Sequence, residues 1–174
     1  VTAVSEVESE TKGFDLGAVD YILKPVSPPI VLRRIKTHLK LVRAQDLEQL
    51  AVASIKMLGE AGHYNDTDTG KHIWRMAAYS SALAKACSWS WYEANMLELA
   101  APMHDTGKIG IPDDILKAPR KLTDEEWQIM QTHTSIGYEI LKKSCNNIFK
   151  IAADIALNHH EKWDGSGYPN GLVD

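Results

Sequence analysis

Beyond residue 41 the apolar residues recur at three- and four-residue spacing almost throughout, and that periodicity restricts the chain to helices. Leu47, Leu50, Ala51, Ile55 and Leu58 share one face, as do Ile129, Ile136 and Ile140, and later Ile151, Ile155 and Ala156. No strand candidate longer than four residues occurs in this part. The spacing predicts helices over residues 42–62, 69–87, 91–103, 124–141 and 148–159. Thr123 with Glu126 forms a capping box that fixes the start of the fourth. Apolar helix faces must be covered by one another, so the expected fold is mainly α, a helical bundle.

Residues 1–41 differ in kind. A buried strand at 1–4, a helix at 6–14, a β-rich run at 19–23 and a helix at 28–41 give a strand–helix–strand–helix order. That order suits the edge of a parallel α/β sheet, and it is too small to stand alone. The 42–62 helix then reads as a linker, and its apolar stripe suits either packing on the chain's own bundle or a homodimer seam. With 174 residues there is room for one medium domain and an appendage. The two cysteines, Cys87 and Cys145, are far apart, which argues against a disulfide scaffold or thiolate zinc and fits a reducing, cytoplasmic setting. A net charge of −4 gives no support to DNA binding. No apolar run reaches membrane-spanning length.

Histidines interrupt the inward stripes. His133 shares the face of Ile129, Ile136 and Ile140; His159 continues that of Ile151 and Ile155; His104 closes a helix whose inner face holds Leu97, Ala100 and Met103. Several inward imidazoles without partners would each carry a desolvation cost, which a shared metal relieves. The neighbouring Asp105 can bridge two ions, and Lys108 can neutralise a phosphate oxygen. Imidazole and carboxylate ligands suit iron, manganese, nickel, cobalt or zinc alike.

With those residues in view, residues 59–174 resemble the HD-GYP subgroup of the HD metal-dependent phosphohydrolases. The segments are DTGKHIWRMAAYS, APMHDTGKIGIPDDIL, LTDEEWQIMQTHTSIGYEIL and HHEKWDGSGYPNGL. The resemblance implies an HD-type bundle over 63–174 that hydrolyses cyclic di-GMP to linear pGpG and on to GMP. It implies two or three divalent ions, commonly iron or manganese. Carried over by motif, His72, His104, Asp105, His133, His159 and His160 are metal ligands, with Asp68 added in trinuclear members. The resemblance gives Lys108 to the substrate phosphate and the GYP loop to partner contacts. By their chemistry, Trp163 and Tyr168 offer stacking surfaces to guanine. The family continues past this point with a further aspartate ligand, so the bundle is expected to be truncated at its C-terminus and the chain itself to be a poor enzyme. Two other readings stand beside this one: a non-catalytic signalling module, and an HD phosphohydrolase for another nucleotide.

Residues 1–41 resemble the last part of a response-regulator receiver domain. Thr2 matches the switch hydroxyl, Lys24 the phosphate-pairing lysine, and the Lys24–Pro25 peptide the one that is cis in that family. The phosphoacceptor aspartate is absent from the segment, so phosphorylation is not expected within it.

Overall fold

A computed structural model describes residues 7–22, 24–63 and 71–173. Among them lie eight α-helices, two 3-10 segments and no strand, in two compact units, residues 1–49 and 50–174. None of these helices is long and apolar enough to cross a membrane.

The first unit contains α1 (Val7–Asp15) and the beginning of α2 (Pro28–Gly62). The β-rich run expected at 19–23 is not a strand over its described residues, 19–22. No ladder partner is present among the described residues. Instead the Tyr21 amide donates to the Asp20 carboxylate at 2.8 Å, and Asp20 also holds Arg34 at 2.5 Å and His38 at 3.2 Å. The Lys24–Pro25 peptide is cis. Thr2 and the strand expected at 1–4 lie outside the described residues. The helix expected at 28–41 and the linker helix expected at 42–62 are one continuous helix of 35 residues. Nothing between residues 38 and 46 is glycine or proline, so nothing interrupts the ladder there.

The second unit holds the rest of α2, then α3 (Lys71–Ala86), α4 (Trp91–Ala100), α5 (Asp113–Leu116), α6 (Asp124–Gln131), α7 (His133–Leu141) and α8 (Asn147–Asn158). Ser90 with Glu93 and Thr123 with Glu126 form complete capping boxes at α4 and α6, and Asn146 caps α8. The helix expected over 91–103 keeps α geometry only to Ala100, then tightens to a 3-10 turn at Ala101–Met103. Pro102 has no amide to continue the ladder.

The helix expected over 124–141 is two. Thr132 closes α6: its amide reaches Ile129 and Met130 carbonyls, and its hydroxyl donates to the Ile129 carbonyl at 2.6 Å. The break turns the buried face from Ile129, which is exposed, to His133, Thr134, Gly137 and Leu141. The core is built from Ile55, Ala100, Met103, Leu141, Ala152, Ala153 and Ala156. Four alanines at the contacts let helix backbones approach closely, which sets up the geometry of the site.

Candidate metal centre

Glycines bring the site together. A Cβ at Gly59 would lie 2.9 Å from Pro102 Cβ, and one at Gly62 would lie 3.0 Å from Thr106 Cα. The end of α2 therefore presses on the segment carrying His104 and Asp105. On the other side, a Cβ at Gly107 would lie 1.8 Å from the His133 carbonyl oxygen and 2.5 Å from the Gly137 amide. Only bare backbone permits the 3-10 turn Thr106–Gly110 to lie against α7 at this distance.

Four imidazoles stand where helical segments end, and each bonds a carbonyl of the closing turn through Nδ1. Nδ1 of His63 lies 2.9 Å from the Gly59 carbonyl, His104 2.9 Å from Ala101, His133 2.7 Å from Met130, and His159 3.0 Å from Ala156. A carbonyl only accepts, so the proton sits on Nδ1, and in the neutral ring Nε2 carries the lone pair. All four Nε2 atoms point at Asp105. His104 and His63 lie 3.0 and 3.3 Å from Oδ2; His133 and His159 lie 3.4 and 3.5 Å from Oδ1. Lys108 Nζ is 2.9 Å from Oδ2.

Asp105 is 7% exposed, and its buried Oδ1 has no hydrogen-bond partner among the described residues. Four neutral rings around it would set lone pairs against lone pairs, while four imidazoliums would repel one another. Cations between them resolve both conflicts. The donors form two groups able to hold a metal: His63, His104 and Asp105, and His133, His159 and His160. The two oxygens of Asp105 face one group each, the disposition of a bridging carboxylate.

The electrostatics agree. Burial opposes charge on Asp105, but the imidazoles of His104, His159 and His63 hold its carboxyl far below the usual range. Burial also works against a charged His63, yet the Asp105 hydrogen bond and the Gly59 carbonyl carry it above its ordinary value. Burial lowers His133, and burial followed by repulsion from His159 and His133 pushes His160 down to about 4. Both are thus neutral near pH 7, the form that ligates metal.

Of the residues singled out from sequence, His104, Asp105, Lys108, His133, His159 and His160 meet here. Asp68 lies outside the described residues. His72 belongs to neither group. On α3 the buried residues are Ile73, Ala77, Ser81 and Ala84. His72, one position earlier, is turned about 100° from Ile73 and lines a cleft with Arg75, Met76, Tyr79 and Leu83. His63 was not singled out, for it belongs to none of the recognised motifs. The signal that points to it is the pair Gly59 and Gly62 in a helix, each unfavourable there unless packing requires it.

Tyr168 has one ring face engaged within the protein. Its ring stacks on His160 with centroids 4.6 Å apart at 19°, and Trp127 meets its edge at 6.1 Å. Burial, then the charge of Asp105, raises Tyr168 to about 12. Trp163 is 80% exposed, in a cleft with Lys162, Leu172 and Val173 that includes none of the histidines. A larger cleft of ≈ 670 Å³ opens on His159 between α4 and α8, lined by Trp89, Tyr92, Met96, Ile151 and Asp154 among others.

Residues 43–174 match the family described as the HD domain. Over 99% of its length the chain is 37% identical to a probable cyclic di-GMP phosphodiesterase of Vibrio cholerae, covering 46% of that protein. It is 36% identical, again over 99% of the chain, to the cyclic di-GMP phosphodiesterase response regulator RpfG of Xanthomonas campestris, covering 51% of it. A 3'3'-cGAMP-specific phosphodiesterase 2 of Vibrio cholerae is 44% identical over 73% of the chain and is covered to 24%. The chain thus spans about half the length of the first two relatives.

Proposed function

Because the chain belongs to the HD-domain family, we propose that it is the metal-dependent part of a phosphodiesterase that hydrolyses cyclic di-GMP in a response regulator. The observation that carries this reading is the convergence of four Nε2 atoms and Lys108 on one buried carboxylate. His63, His104 and Asp105 would hold one divalent ion, and His133, His159 and His160 a second, with Asp105 shared. Iron or manganese suits the donors. Bound ions supply a water acidic enough to attack phosphorus and positive charge opposite the phosphoryl oxygens.

The chain's own groups do the rest. Nδ1–carbonyl hydrogen bonds fix four of the five imidazoles before substrate arrives, so little reorganisation is left for the reaction. Lys108, held at the edge of the carboxylate, places a positive charge where a non-bridging phosphate oxygen can meet it. The cleft beside His159 offers the Trp89 and Tyr92 rings for stacking, and an Asp154 carboxylate that can accept from the N–H edge of guanine. Water adds across one phosphodiester to give pGpG, and hydrolysis of the second linkage gives GMP.

Support for a response-regulator setting is the likeness to RpfG along nearly the whole chain. Exposed Leu32, Ile35, Leu39 and Val42 on α2, spaced three, four and three, suit a homodimer seam. The likeness to a cGAMP-specific relative favours cyclic GMP–AMP as a second candidate substrate. The test is turnover of both cyclic dinucleotides by the manganese- or iron-loaded chain. Cyclic di-GMP should be cleaved, if only slowly by a chain expected to be a poor enzyme, and Asp105→Asn should remove nearly all of that activity while keeping helical content. A fully loaded chain that cleaves neither nucleotide would leave the catalytic reading without support.

A further inference from the structure

Four of the five imidazoles in the two groups are tethered through Nδ1 to a backbone carbonyl. For the His160 ring no hydrogen bond is found among the described residues. Its ring is located by ring contacts: His159 at 4.1 Å, Tyr168 at 4.6 Å and His133 at 5.1 Å between centroids. Of these neighbours only Tyr168 lies nearly parallel to it. What fixes Tyr168 therefore fixes His160.

Tyr168 rides on a loop that doubles back over the residues following α8. Its amide donates to the His160 carbonyl at 3.2 Å, and the Gly165 amide donates to the Lys162 carbonyl at 3.0 Å. A Cβ on Gly167 would lie 2.4 Å from the Lys162 amide nitrogen and 2.5 Å from Glu161 Cα, so the loop backbone lies flat on this segment. The return limb is held at its far end by an antiparallel bridge between Asp164 and Val173, and along residues 170–172 by one side chain. Glu161 Oε1 accepts from the Asn170 amide at 2.7 Å and Oε2 from the Leu172 amide at 3.0 Å. A carboxylate with both oxygens on backbone amides nine and eleven residues onward is a strong, charge-assisted clasp.

We propose that Glu161 is a positioning residue for the metal centre: by clasping the return limb of the 164–172 loop it holds Tyr168 against His160 and sets that imidazole toward His133 and His159. This rests on the reading of those three histidines as a metal position. Removing the clasp frees residues 170–172, the stack loosens, and the untethered ring loses its orientation. The other four imidazoles keep their own carbonyls.

The test compares the wild-type chain with Glu161→Ala, Glu161→Gln, Tyr168→Ala and the Glu161→Ala/Tyr168→Ala double variant. In the metal-free chain, the His160 ring protons should move in Glu161→Ala toward their positions in Tyr168→Ala, as the tyrosine ring current is lost. His63 and His104, whose rings do not meet Tyr168, should keep their signals in place. Glu161→Gln, which keeps one acceptor, should fall between. In manganese titrations, Glu161→Ala should weaken one of two positions about 10- to 100-fold and spare the other. The double variant should lose no more than Tyr168→Ala alone, as expected when one residue acts through the other. Unchanged His160 signals in Glu161→Ala, or equal weakening at both positions, would overturn the proposal. Absence of manganese uptake by the wild type would instead defeat the metal reading, and the His160 signals would then decide the clasp on their own.

Discussion

Asp105 sits 7% exposed among four Nε2 atoms, and each neighbour can be tested by deletion. The most discriminating pair is His63 and His72. His63 lies 3.3 Å from the carboxylate, whereas His72 faces a cleft on α3. His63→Ala should lower bound manganese by about one ion or weaken one position by at least about 10-fold, the usual effect of losing a residue that holds or orients a metal. His72→Ala should leave the stoichiometry intact. Elemental analysis after equilibrium dialysis reads both, and the reverse pattern would return the ligand role to His72. The family pattern pointed to His72 because it stands inside a recognised motif. His63 was hidden because a helix-terminal histidine has no local mark, and its nearness to Asp105 depends on contacts 43 and 44 residues away in sequence, from Gly59 to Pro102 and from Gly62 to Thr106.

Among the elements, the contact between the Thr106–Gly110 turn and α7 is the least forgiving. Gly107→Ala would place a methyl 1.8 Å from the His133 carbonyl oxygen, a clash with backbone that no rotamer relieves. Overpacking of this kind costs about 3 kcal/mol or more. Gly137→Ala meets Ala156 Cβ and the Gly107 amide at 3.2 Å, a tight fit that small shifts can absorb. Urea midpoints should therefore order wild type, Gly137→Ala, Gly107→Ala from highest to lowest; an unmoved Gly107→Ala midpoint would mean the two backbones do not touch in solution. Local signals of this kind divide sharply in how readable they are. The Thr123–Glu126 capping box was legible, since both partners lie within one turn. The break at Thr132 was not, because Ile129, Ile136 and Ile140 keep helical spacing straight through it while the Thr132 hydroxyl and the His133 ring turn the backbone. Nor could the β-rich sequence at 19–23 show that its described residues, 19–22, have no strand beside them among the described residues.

For the whole molecule, the division into two units predicts two separable responses to metal. All five tryptophans fall in residues 50–174, so their fluorescence reports that unit while circular dichroism reports both. Manganese at roughly 100 times its dissociation constant should stabilise the fluorescent transition by about 2.7 kcal/mol, and a chelator should remove that gain. Without metal, acid should act through His160. The unfolded chain takes up this proton near pH 6.5 and the folded chain only near about 4, so stability is lost as pH falls across that window. His160→Gln should show a shallower loss over the same range; an identical slope would remove His160 as the cause. One consequence remains in the way the imidazoles are held. Each tether ends on carbonyls at the close of a helical segment, after α2, after Ala101–Met103, after α6 and after α8. The negative ends of several backbone dipoles therefore converge on one small volume. Such a field draws in cations and turns away phosphates until enough positive charge has accumulated. Loading should for that reason be ordered, with the dinucleotide binding measurably only after the ions.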